Sequence, residues 1–102
     1  MDEDAAVATL TLVVDLPVTK TDALDVIALA CHGEVVGART PHPRVGLTAH
    51  EWAEVEVPKF GDPPPLAIDV HSTRGERHAR GAARDLAAGL ARLGWTAHLA
   101  GH

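Results

Sequence analysis

In the stretch Ala49–Ser72, AHEWAEVEVPKFGDPPPLAIDVHS, the side chains able to do chemistry recur at every second position. His50, Trp52, Glu54 and Glu56 make one such series, and Asp69 and His71 make another. Period-two spacing places each set on one face of a β-strand. If the two strands form a hairpin in which Val57 meets Leu66, then Glu54 lies opposite Asp69 and Trp52 opposite His71. A two-residue slip keeps the faces but moves Asp69 opposite Glu56 or Trp52. Like charges directly opposite destabilise a strand pair, so the register decides how these carboxylates live together.

Three readings of this face compete. The plainest is solvation, since polar residues belong on the open side of an antiparallel sheet. The second is a subunit interface, in which Trp52, Val7, Val13 and the threonines supply apolar area for a second copy. In the third, two of His50, His71 and His98 join Glu54 or Asp69. Imidazole with carboxylate suits zinc or ferrous iron, with His50, His71 and Asp69 the candidate ligands, or acid–base catalysis. None of these spacings is a metal signature, and neither a metal nor another cofactor is expected.

The elements that must position these residues follow from periodicity. Alternation from Ala6 to Leu16, with β-branched residues on both faces, predicts a central strand that Pro17 ends. Thr19 or Thr21 caps a helix with Leu24, Ile27, Ala28 and Cys31 on one stripe, and Gly33 supplies a left-handed stop. A short edge strand at 34–38 leads into the loop RTPHPRVG, where Pro41 and Pro43 force extended backbone around His42. Two hairpin strands follow, with Ala53, Val55 and Val57 inward on one and Leu66, Ile68 and Val70 inward on the other; Lys59–Pro64 connects them.

A second helix starts at Ser72–Thr73, where Thr73 and Glu76 make a capping box. Ala79, Ala82, Ala83, Leu86, Leu90 and Leu93 share one side of it. Arg74, Arg77, Arg80, Arg84 and Arg92 share the other, as on a solvated helix face. Gly81 and Gly89 flank the apolar stripe and would allow close approach to a neighbour. Gly94 closes the helix, and a last strand has Ala97 and Leu99 inward and His98 outward.

The order β-α-β-β-α-β predicts a single domain spanning 1–102, with residues 1–5 frayed. Its fold is a ferredoxin-like α+β sandwich: a four-stranded antiparallel sheet with both helices on one face. The other face, carrying His50, Trp52, Glu54, Asp69, His71 and His98, is left uncovered.

Composition narrows the functional classes. The 102 residues carry a net charge of −5, against non-specific nucleic-acid binding. The charge is uneven: residues 1–72 hold twelve Asp and Glu against four Lys and Arg, and residues 73–102 hold two against five. No apolar run is long enough to span a bilayer. The acidic start and lone Cys31 fit a reducing cytoplasm. Seven Arg to two Lys with abundant Ala fit a GC-rich bacterial coding sequence. No Gly-rich phosphate loop, nucleophile elbow or Ser/His/Asp set at a known spacing is present.

Residues 13–36, VVDLPVTKTDALDVIALACHGEVV, resemble the start of an ACT regulatory domain. In that family a strand ends near D-x-P and a helix ends in Gly before the second strand. ACT domains place Gly after that proline, where this chain has Val18, and their helix is shorter. The resemblance therefore does not extend to effector binding at this loop.

The resulting expectation is a cytoplasmic binding module that forms a homodimer through its open sheet face, with room for a small-molecule or protein ligand. The alternative is a small metal-binding protein or enzyme of the dimeric α+β barrel type, using His and carboxylate groups on that face.

Overall fold

The computed structural model describes residues 7–14, 19–56 and 66–100. The elements are β1 (Ala8–Val14), α1 (Lys20–Cys31), β2 (Val35–Val36), β3 (Arg44–Gly46), β4 (Glu51–Glu56), β5 (Leu66–Ser72), α2 (Glu76–Arg92) and β6 (Ala97–Leu99). They form one antiparallel sheet in the order β2-β3-β4-β5-β1-β6. Four adjacent strands, β4-β5-β1-β6, have the ferredoxin-like order, and the β2–β3 hairpin extends that sheet beyond β4. The expected four-stranded sheet is thus a six-stranded one.

The added strand β3 is where the loop RTPHPRVG was expected. Prolines and glycine obscure its pattern, yet Val45 is fully buried between Val35 and Ala53. A strand this short is held by its partners rather than by its own propensity. The edge strand expected at 34–38 is present as β2.

One face of the sheet is apolar. Leu12, Val14, Val45, Ala53, Val55, Leu66, Ile68 and Val70 meet Ala23, Leu24 and Ile27 of α1 and Ala83, Leu86 and Leu90 of α2. This alternation of buried and exposed positions is the pattern of a sheet covered on one side only.

Helix boundaries differ from expectation at two points. Thr19 caps α1 as expected, its hydroxyl accepting from the Asp22 N–H at 3.1 Å. The left-handed residue at the other end is His32 (φ 57°), not Gly33. Gly33 is instead needed for close approach: a Cβ there would lie 2.5 Å from the Gly46 carbonyl oxygen. The second correction concerns α2, which starts at Glu76 behind Gly75 (φ 106°) with no side-chain cap. Thr73 continues the β4–β5 pairing by donating its N–H to the His50 carbonyl, and its hydroxyl lies 3.4 Å from His50 Nδ1 rather than capping the helix.

The Lys59–Pro64 connection, Pro17 and the aspartate and proline of the ACT-like stretch lie outside the described residues.

Candidate functional site

Strand alternation carries the open face. β4 presents Trp52, Glu54 and Glu56, β5 presents Ala67, Asp69 and His71, and β1 presents Thr9, Thr11 and Val13. The register is the one expected from a Val57–Leu66 pairing: Trp52 lies opposite His71 and Glu54 opposite Asp69. Two carboxylates thus face each other across the central strand pair, a destabilising arrangement unless each finds another partner.

Each does. The Thr11 hydroxyl donates to Asp69 Oδ1 at 2.7 Å. Glu54 turns to the diagonal neighbour, with His71 Nε2 3.2 Å from its Oε1. The other ring nitrogen, Nδ1, lies 2.7 Å from Thr9 Oγ1. A carboxylate only accepts hydrogen bonds, so Nε2 donates to Glu54, and in the neutral form of the ring Nδ1 then accepts from the Thr9 hydroxyl. The His71 side chain is 16% exposed, and its ring packs at 5.3 Å against Trp52, tilted by 33°. On the far side of Trp52 the Arg44 guanidinium stands 5.1 Å from the ring centroid, a cation–π contact. A continuous line of contacts therefore runs Arg44–Trp52–His71, ending on Thr9 and Glu54.

The remaining expected residues stand apart from this line. His50 sits in the turn before β4, exposed, with Nδ1 3.4 Å from the Thr73 hydroxyl. His98 is exposed on β6 opposite Val13. Among the described residues, no three His, Cys, Asp or Glu side chains converge as a metal-ligand set. His50, His71 and Asp69 in particular each have different neighbours.

A second cluster was not anticipated. Glu51 shares the inward parity of Ala53 and Val55, so its side chain is buried on the helical side of the sheet, 1% exposed. It receives a full set of donors. Arg74 donates twice, from Nη2 to Oε1 at 2.7 Å and from Nε to Oε2 at 3.1 Å. Ser72, directly opposite on β5, donates its hydroxyl to Oε2 at 2.6 Å, and the Thr48 hydroxyl donates to Oε1. Arg74 above all, helped by the two hydroxyls, holds the Glu51 carboxyl down at about 2, against the opposing effect of burial. The same contact raises the Arg74 guanidinium.

Arg74 is therefore not part of a solvated helical stripe, as its spacing suggested. It precedes α2 and ties the β3–β4 turn to the β5–α2 junction. The signal was present in the sequence: strand parity turns Glu51 inward, and the hairpin register sets Ser72 opposite it.

Cys31 is half-buried at the end of α1, and burial raises its thiol pKa. That is the environment of a packing thiol rather than a nucleophile.

Compared with known protein families, curated proteins and solved structures, the chain matches none. Its chemistry has to be argued from its own geometry. Among the described residues, no helix is long and apolar enough to cross a membrane.

Proposed function

We propose that this chain is an interaction module that pairs with a second copy of itself through the open sheet face. The observation that carries the reading is Trp52. A large aromatic ring is held in place by Arg44 and His71 on a face that neither helix covers. Aromatic and arginine side chains fixed in this way are the anchors that dominate protein interfaces. Val7 and Val36, 45% and 54% exposed, add apolar area, and Val13 lies on the same face. The face also carries both signs of charge, Arg44 on β3 and Glu54, Glu56 and Asp69 on the central strands. A two-fold pairing can therefore set cation against carboxylate.

Size sets the expected strength. At about 3.4 Å by 4.8 Å per strand residue, the described strands present roughly 450 Å² of face. Two copies would hide on the order of 900 Å² before surface relief is counted, the low end for a specific interface. The expected dimer is therefore weak, dissociating in the micromolar range. Light scattering across a dilution series tests it. Trp52→Glu should leave a monomer with a native far-UV spectrum, and a wild-type chain already monomeric at high micromolar concentration would end the proposal. A bacterial, cytoplasmic setting fits the composition and belongs to the same reading.

The Thr9–His71–Glu54 line favours a second reading, that of a small enzyme using the same face. A hydroxyl, an imidazole and an orienting carboxylate in sequence are the parts of a general-base device. Under this reading His71 takes the proton of Thr9 or of a substrate held beside it, and Glu54 steadies the ring. Saturable hydrolysis of an activated ester, lost in both His71→Ala and Thr9→Val, is the expected result. Turnover equal to that of free imidazole would remove it.

A further inference from the structure

On the helical side of the sheet, a cleft of about 300 Å³ is lined by Thr48, Glu51, Arg74, Arg77, His78 and Asp85 among others. We infer that it binds a small phosphorylated molecule, with the phosphate at the Arg74–Arg77–His78 end and hydroxyl groups toward Asp85. Four features support this assignment.

First, Arg74 is aimed. Its Nε and Nη2 edge is clamped by the buried Glu51, and its own backbone N–H donates to the Ser72 hydroxyl at 2.9 Å. The remaining nitrogen, Nη1, has no hydrogen-bond partner among the described residues. A guanidinium fixed by a buried carboxylate behind it is a pre-organised oxyanion donor, the arrangement in which outer groups orient a binding group.

Second, hydrogen-bond donors are available. Glu51 is already matched by Arg74, so Arg77 and His78 face the cleft with no carboxylate bonded to either among the described residues. Arg80, by contrast, pairs with Glu76 at 2.9 Å and does not line the cleft.

Third, α2 begins here. Its N-cap, Gly75, supplies no side-chain oxygen, the first-turn Glu76 is turned to Arg80, and Arg77 and His78 of the same turn line the cleft.

Fourth, the cleft has a polarity along its length. Asp85 lies seven residues beyond His78, about 10 Å along the helix axis. A carboxylate there repels a second anion but accepts hydrogen bonds from hydroxyls. Between the two ends Gly81 leaves open space, since a Cβ there would meet nothing within 4 Å. The volume suits a small metabolite. Neither tryptophan lines the cleft to stack a base, which separates this site from a nucleic-acid track.

Calorimetric titration of the intact chain with glycerol 3-phosphate and, separately, inorganic phosphate tests the inference. The wild-type chain should bind glycerol 3-phosphate saturably and more tightly than inorganic phosphate. Arg77→Ala/His78→Ala, at two exposed positions, should keep its far-UV spectrum and lose about tenfold or more in affinity, as expected for charge-assisted bonds. Arg80→Ala removes a charge outside the cleft and should bind within about twofold of wild type. Absence of saturable binding would overturn the inference. So would equal weakening by Arg80→Ala, which would reduce the effect to general attraction. Equal affinity for the two ligands would refute the assignment of hydroxyls to Asp85. The oligomeric state plays no part in these outcomes.

Discussion

The same chemical change at two glycines of α2 should move stability in opposite directions. Replacing a glycine inside a helix by alanine ordinarily stabilises by about 0.5–1 kcal/mol, because glycine loses more backbone freedom on folding. Gly81→Ala should show this gain, since its new methyl meets nothing within 4 Å. Gly89 is buried where α2 crosses α1. A Cβ there would lie 2.7 Å from the Ala30 carbonyl oxygen and 3.3 Å from the Ala30 Cβ. Ordinary contact starts at 3.4 Å, so the helices would have to part by about 0.7 Å. The obstacle is backbone, which has no rotamer to move into. A gap of that size forfeits roughly a quarter to a half of each dispersion contact along the crossing. Overpacking of this kind costs about 1–3 kcal/mol, which leaves a net loss of up to about 2.5 kcal/mol after the propensity gain. On a chain of this length each kcal/mol shifts Tm by roughly 4–8 °C. Thermal unfolding followed by circular dichroism should therefore place Gly81→Ala above wild type and Gly89→Ala well below it. If both variants move the same way, the helix crossing is not as close as argued.

Glu51 makes stability depend on pH. Its carboxyl is held at about 2 in the folded chain against an ordinary 4.5, so its contribution is complete above about 4.5 and is lost as pH falls toward 2. The full shift would correspond to about 3 kcal/mol; with the Arg74 side chain 43% exposed, solvent screening reduces this to about 1–2 kcal/mol. Urea midpoints at pH 6, 4 and 2.5 should fall more steeply for wild type than for Glu51→Gln, and parallel slopes would refute the assignment. Cys31, whose thiol is raised by burial, should react with a disulfide reagent at neutral pH about tenfold or more slowly than in the urea-unfolded chain. Comparable rates in the two states would show it to be an open thiol.

Much of this architecture follows from local patterns. Alternation located β1, β4, β5 and β6, because a strand buried on one side must repeat at every second residue. The same parity selected the open face, and Thr19 marked the start of α1 by its capping chemistry. The hairpin register was legible as one of two alternatives. What chose between them is tertiary: Thr11 stands beside Asp69 and His71 beside Glu54 only because β1 and β4 flank β5.

Other features lie beyond any local reading. Val45 forms a strand because β2 and β4 stand on either side of it, although the residues around it read as a loop. Arg74 has the spacing of a solvated helical arginine and becomes the partner of a buried carboxylate because Gly75 delays the start of α2. Gly81 and Gly89 look equivalent along the chain, and only the crossing of α1 makes one of them necessary. Sequence by itself determined which residues share a face, since that depends on backbone period alone. Which neighbours those faces meet depends on contacts between residues distant in the chain, and that was decided by the tertiary structure.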